Sequence, residues 1–196
     1  MKSRNLKRAL LLVLLLSAPT FLQAKTIPPQ LSADITMYQK NKIFDEGKLY
    51  IGKSAGRMDW PNKMKQTQIY HFNADKVEAW MNKGNMIIEM KMPYNALIHQ
   101  LPEGFKEECN GEETIEGHPC KKCKITGTFL GQKVNATAWE AKDLQMIIKN
   151  MDENGNGMTI KNIARGPQPD TLFQAPAGYR KLNMPGLGDL FKPKSN

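Results

Sequence analysis

The sequence predicts a mainly β domain of antiparallel strands. Three observations predict it. Apolar and polar residues alternate with period two through most of the chain, Gly- and Asn-containing turn signals interrupt the alternation at short intervals, and helical periodicity is nearly absent. Successive side chains on a strand point to opposite faces, so this alternation means strands with one buried face.

The N-terminus reads differently. A basic stretch, Met1 to Arg8, precedes an apolar run from Ala9 to Ser17 and then Ala18 to Ala24, which ends on a small residue at the expected cut. This is the pattern of a secretory signal peptide, with cleavage expected near Ala24 and a periplasmic or secreted location. The apolar run falls short of the about 20 residues that span a bilayer, and no later stretch resembles a span. No Cys follows the run to carry a lipid anchor. The expected organisation is a signal peptide over 1–24, one β domain over 25–182 and a flexible Gly/Pro-rich tail over 183–196.

The strands follow in order. Lys25 to Gln30, with Pro28-Pro29, reads as an extended leader. Ala33, Ile35 and Met37 alternate with Asp34, Thr36 and Tyr38, and Gly47, Leu49 and Ile51 alternate with Lys48 and Tyr50. Arg57-Met-Asp-Trp60 alternates up to Pro61, Gln68, Tyr70 and Phe72 share one face, and Val77, Ala79 and Met81 share another. Met86 to Met92 is a denser apolar run. Lys133 to Glu140 and Met158 to Arg165 are strand-like, and Lys142 to Lys149, despite helix-compatible spacing, is expected to be a strand because strand-like runs flank it. Pro93 to Gln100 reads as one short helix. Asn82-Lys-Gly84, Glu116-Gly117 and Asp152 to Gly157 supply tight turns, where Gly and Asn accept positive φ.

Charge and composition exclude several function classes. The whole chain carries a net charge of +9, and Lys2, Arg4, Lys7 and Arg8 lie in the leader, which holds no acid, so the remaining 172 residues carry +5. A modest positive field favours anionic lipid or glycan surfaces. Only Lys121, Lys122 and Lys124 cluster, with cysteines between them, so no nucleic-acid interface is expected. His71, His99 and His118 stand apart, and no paired carboxylates at a recognisable catalytic spacing, Gly-x-Ser-x-Gly, phosphate loop or His-Glu-x-x-His occur. Nothing here points to an enzyme or a cofactor. Asp152-x-Asn154-x-Asn156-Gly157 resembles half of a calcium loop, but Ile163 stands where a bidentate Glu is required, so it is read as a turn.

Three stretches carry a resemblance to a known family. They are Gly47 to Ile51 with Gly56 to Trp60, the hairpin Gly111 to Cys120, and the closing segment Asp170 to Arg180. Together they resemble a bacterial periplasmic domain family of unknown function, related to the LolA/LolB lipoprotein-carrier superfamily. The resemblance implies a single curved antiparallel sheet, an open half-barrel of about ten strands, with one or two short helices on its concave side. It implies a non-catalytic binding role in which the cavity holds a lipid, a lipoprotein acyl chain or another apolar ligand. The alternating positions then expected to line the cavity are Ile35, Met37, Leu49, Ile51, Met58, Trp60, Tyr70, Phe72 and Met90. Twelve Met residues, several of them on the strands, suit an adaptable apolar surface.

Cys109, Cys120 and Cys123 are the only cysteines. In an oxidising compartment they are disulfide candidates first. Cys109 and Cys120 lie on the two arms of the hairpin turning at Glu116-Gly117 and form the favoured pair, with Cys109–Cys123 the alternative. Cys120 and Cys123 point to opposite faces of one strand, which disfavours their pairing and a CxxC redox role. The rival functional reading is a metal or thiol-redox site built from Cys109, His118, Cys120 and Cys123.

Overall fold

The computed structural model describes residues 28–72, 76–81, 84–91, 105–129 and 132–183. The expected signal peptide, the helix over 93–100 and the tail beyond Asn183 lie outside these residues. Twelve strands form one open curved sheet. They are β1 (Leu31–Gln39), β2 (Lys42–Ile51), β3 (Ala55–Trp60), β4 (Gln66–His71), β5 (Lys76–Met81), β6 (Met86–Lys91), β7 (Lys106–Ile115), β8 (His118–Phe129), β9 (Gln132–Ala141), β10 (Met146–Asp152), β11 (Gly157–Arg165) and β12 (Arg180–Asn183). Their spatial order is β12-β6-β5-β4-β3-β2-β1-β11-β10-β9-β8-β7.

Two meanders run outward from a shared centre. β1 to β6 step in one direction, β11 back to β7 in the other, and the antiparallel pair β1–β11 joins them through Ile35 opposite Ile160 and Met37 opposite Met158. Turn chemistry fixes the hairpins. Lys40 and Asn41 both have positive φ (52° and 60°), as do Glu116 and Gly117 (50° and 81°), the backbone of two-residue turns whose twist matches the strands. The Asp152–Gly157 loop is a turn, as expected. Asp152 Oδ1 accepts from the Asn154 and Asn156 amides, both at 2.8 Å, and the Asn41 amide donates to Gly155 O at 2.8 Å.

The sequence expectation needs four corrections. The sheet has twelve strands rather than about ten, and it is not wholly antiparallel, because β12 pairs with β6 in parallel. Four residues, Arg-Lys-Leu-Asn, carry too little alternation to announce a strand. The one or two short helices expected on the concave side do not occur among the described residues, where the one helical element is the 3-10 turn Asp170–Phe173. Lys142 to Lys149 divides into a turn and the start of β10, since the amides of Leu144 and Gln145 both donate to Ala141 O and reverse the chain there.

Side-chain alternation sorts the apolar residues onto two faces. The inner face carries one cluster running from Val77 on β5 through Leu31, Ile35, Leu49, Met58 and Trp60 to Met146, Ile160 and Trp139. Each large side chain that is fully buried there contributes roughly 1.5–3 kcal/mol. The outer face carries two smaller clusters: Ile125, Ala138 and Ile147 under Phe105, and Ala55, Ile69, Trp80 and Ile87 under Phe173 and Tyr179.

The second outer cluster explains the closing segment. After β11 the chain crosses the outer face of the N-terminal meander as a strap and ends as β12 on its edge. Arg57 holds the strap by donating from Nη1 to Leu172 O at 2.6 Å, while its Nε bonds Asp59 and its guanidinium lies 5.6 Å from the Trp80 ring centre. Phe173 lies directly on Gly52, where an added Cβ would stand 2.5 Å from the ring. Lys181 of β12 then reaches the buried Glu78 carboxylate at 3.5 Å, which also accepts from Trp80 Nε1 at 2.9 Å.

A double-mutant cycle tests the strap. Gly52→Ala overpacks the contact and is expected to cost about 1–3 kcal/mol in urea unfolding. In a Phe173→Ala background the same change should cost less than about 0.5 kcal/mol, because coupled neighbours are non-additive. Equal costs in both backgrounds would mean that the ring does not rest on Gly52.

Candidate functional site

The inner face is the candidate ligand site. Of the nine positions expected to line a cavity, Ile35, Met37, Leu49, Ile51, Met58, Trp60, Tyr70 and Phe72 all fall in its one cluster, none more than 6% exposed. The side chain of Met90 lies outside the described residues, although its backbone pairs opposite Val77. Register explains the gathering. Leu49 faces Met58 across β2–β3, Met58 faces Gln68 across β3–β4, and Tyr70 faces Val77 across β4–β5, and cross-strand partners share a face.

Polar groups interrupt this face at two places that the sequence reading missed. The first is Gln68, fully buried, whose Oε1 accepts from Tyr70 Oη at 2.9 Å. Gln68 Nε2 and Trp60 Nε1 are both buried without an acceptor among the described residues. They sit diagonally on β3 and β4, where Met58 opposes Gln68 and Trp60 opposes Gln66. A buried donor left unpaired costs about 1–3 kcal/mol. The Gln-x-Tyr alternation was the available signal, since a Gln on the apolar side of a strand is out of pattern.

The second lies toward the β7 edge. Trp139 Nε1 donates to Glu113 Oε2 at 2.8 Å, and Lys122 reaches the same oxygen at 3.3 Å. The ammonium groups of Lys122 and Lys149 lie 5.3 and 4.4 Å from the Trp139 ring centre. The hydrogen bond from Trp139 and the one from Lys122 hold the Glu113 carboxyl below its ordinary range. The inner face thus turns from apolar to charged across β8 and β9.

The cysteines pair otherwise than favoured. Cys109 bonds Cys123, and Cys120 is the free thiol. Register decides it. In the β7–β8 ladder Cys109 stands opposite Cys123, with a bulge between Cys109 and Glu112, whereas Cys120 stands opposite Glu113. Cys120 faces inward with the core cluster, and Cys123 faces outward. The four-residue set Cys109, His118, Cys120 and Cys123 is therefore not assembled. His118 is also turned away, with Nδ1 2.9 Å from Asp143 Oδ2, an oxygen that accepts from Arg165 at 2.6 Å. Burial pushes the Cys120 thiol above its ordinary pKa, so it is protonated and weakly nucleophilic at neutral pH. On the outer face, burial raises Glu140, Lys121 opposes this, and the charge of Glu107 adds to it.

No family model matches the chain, and no curated protein matches it in sequence. Solved structures do match. The chain is similar to MucB in its complex with MucA(peri), with a TM-score of 0.50 at 12% identity, over 76% of this chain and 55% of that one. The chain thus spans little more than half of MucB's length, and at that identity the likeness is one of fold. A LolA superfamily protein from Nitrosomonas europaea (TM-score 0.39, 7% identity, 82% of this chain and 96% of that one) and a DUF1329 family protein from Desulfovibrio piger (0.39, 10%, 76% and 91%) also match. These matches are similarities of fold alone. Among the described residues no helix is long and apolar enough to cross a membrane.

Thiol titration checks the cysteine assignment. The native chain is expected to react slowly or not at all with an aromatic disulfide reagent, the denatured chain to release one thiol, and the denatured and reduced chain three. A fast-reacting native thiol would contradict a buried Cys120.

The Asp143 cluster predicts a pH dependence. Burial alone would raise the Asp143 carboxyl, but the hydrogen bond and charge of His118, with Arg165, outweigh it and lower the pKa. A depressed folded-state value stabilises above the unfolded carboxylate pKa of about 3.9, and this contribution is lost as pH falls through the lowered value. Asp143→Asn should therefore lower the melting temperature at pH 7, by the equivalent of about 1 kcal/mol or less for so exposed a group. The difference from wild type should vanish in acid below the folded-state value, and a pH-independent difference would refute the electrostatic account.

Proposed function

We propose that the chain is a non-catalytic periplasmic binding protein whose inner sheet face holds an acyl chain, carried by a lipid or a lipoprotein. The observation that supports this most is the pairing of one continuous apolar cluster with two buried donors, Trp60 Nε1 and Gln68 Nε2, that lack acceptors among the described residues. A plain structural core would gain from replacing them. A ligand that brings an alkyl chain and an ester or amide carbonyl would use both features, gaining roughly 0.8 kcal/mol for each CH₂ removed from water and satisfying a donor. The LolA-like fold supports a binding role, and the N-terminal pattern supports export with cleavage near Ala24, outside the cytoplasm, where acylated envelope components occur. A positive surface favours transient contact with anionic membranes.

The test is recovery of the protein from periplasm, its intact mass and native mass spectrometry. The expected result is a chain beginning at Lys25 with co-purifying acyl species, and displacement of a solvatochromic alkyl probe by an added monoacyl ester. A combined Gln68→Leu and Tyr70→Phe variant removes both ends of their hydrogen bond, which costs less than truncating one partner alone. At a temperature where circular dichroism shows it folded, it should lose about tenfold in ester affinity, the worth of about 1.4 kcal/mol. A ligand-free chain that displaces no probe would end this reading.

A further inference from the structure

On the outer face of the β7–β8 hairpin, away from the ligand face, three potential ligand groups converge. Glu107 and Cys109 are two residues apart on β7 and share a side, and Cys123 opposes Cys109 across the ladder. Their ligand atoms all lie within 4.8 Å of one another. Glu107 Oε1 stands 3.1 Å from Cys109 Sγ. With Cys109 in a disulfide its sulfur carries no proton, so that contact joins two acceptors and is not a hydrogen bond. A carboxylate held against such a sulfur becomes favourable once a proton or a cation stands between them.

We propose that reduction of the Cys109–Cys123 disulfide creates a zinc-class site with Glu107, Cys109 and Cys123 as its protein ligands. The step is balanced with an external dithiol as reductant. The dithiol gives two electrons and two protons, the S–S bond breaks, two thiols form and the dithiol closes to its own disulfide. Binding of Zn²⁺ then displaces the two thiol protons to solvent. Two thiolates and a carboxylate are a borderline-soft donor set that suits Zn²⁺ over Mg²⁺ or Ca²⁺. Around a tetrahedral zinc with ordinary bond lengths the sulfurs would lie about 3.8 Å apart and the sulfur and oxygen about 3.6 Å apart. The sulfur–oxygen pair thus needs to open by only a few tenths of an ångström, and the sulfurs separate once their bond is gone. Water fills the fourth position. Glu140, opposite Lys121 on the neighbouring strand, places a second carboxylate on this outer face. The set differs from the Cys/His cluster considered from the sequence, since it excludes His118 and Cys120 and includes Glu107.

The full chain, with the disulfide intact or after dithiol reduction and removal of the reductant, is titrated with Co²⁺ and with Zn²⁺. The reduced chain should bind one metal per chain, with a thiolate-to-cobalt charge-transfer band that Zn²⁺ bleaches, and the oxidised chain none. Glu107→Gln, which leaves the disulfide free to form, should weaken uptake by at least about tenfold, the lower bound for losing even an outer metal partner. Cys120→Ala should bind as wild type does. Far-ultraviolet circular dichroism follows the sheet throughout. No uptake by a reduced, folded chain overturns the proposal. So do uptake that survives Glu107→Gln unchanged, uptake lost with Cys120→Ala, and uptake only after the sheet signal has collapsed.

Discussion

The pairing of β1 with β11 is the constraint on which the rest of the molecule depends. It brings Leu31 to Arg165 and Tyr38 to Gly157, and among the described residues no other ladder joins the two meanders. Closing so long a loop costs entropy that grows only slowly with loop length, and burial meets that cost. Ile35, Met37, Met158 and Ile160 are at most 4% exposed, at the centre of the sheet. β2 and β10 flank the β1–β11 pair in register with it, and the inner cluster extends outward from it across the neighbouring strands. The same centre gives the strap its route. β11 ends beside β1, where the Gly166 amide donates to Gln30 O at 3.0 Å. From there the chain crosses the outer face to reach the far edge.

Much of this was legible because the side-chain period of a strand is two. The alternation in Ala33-Asp-Ile-Thr-Met37 and in Gln68-Ile-Tyr-His-Phe72 names the inner face correctly, and eight positions read that way meet in one cluster. For the cysteines, only the exclusion of Cys120 was within reach. A two-residue turn at Glu116-Gly117 sets Cys109 nearly opposite Lys124, and a one-residue bulge moves it onto Cys123; Cys120 is held to Glu113. What the sequence conceals are the bulges themselves, at Ser32/Asp34, Met37/Tyr38, Cys109/Glu112 and Ile147/Lys149. A bulge leaves no fixed residue signature, yet each shifts register by one and changes which face later residues take. β12 was hidden for another reason: its pairing depends on the strap, a long-range contact without local periodicity.

The two faces divide the chemistry. Inward, an apolar cluster meets paired charge at Trp139, Glu113, Lys122 and Lys149. Outward, aromatic rings lie over glycines, Phe173 on Gly52 and Phe105 on Gly127, where added Cβ atoms would meet the rings at 2.5 and 2.6 Å. A ring on a glycine buries strand backbone that would otherwise face water. The outer face is thus covered by the protein's own segments at these two places.

The edges of the sheet are constrained as well. An open sheet has two, and each is a template for unwanted strand addition unless it is blunted. β7 carries Glu107, Glu108, Glu112 and Glu113 together with a bulge, so an extended peptide would meet charge and broken register there. β12 is four residues long and places Arg180 and Lys181 at the other edge, with Lys181 engaged by Glu78 and Glu89. Neither edge invites a partner strand. Under the proposed function, an occupant would therefore be recognised through side chains on the inner face rather than through backbone pairing, which suits a ligand whose own groups are apolar with a single acceptor. On the same proposal, affinity would depend on Gln68 and Trp60, which are buried on β4 and β3, and not on changes along β7 and β12.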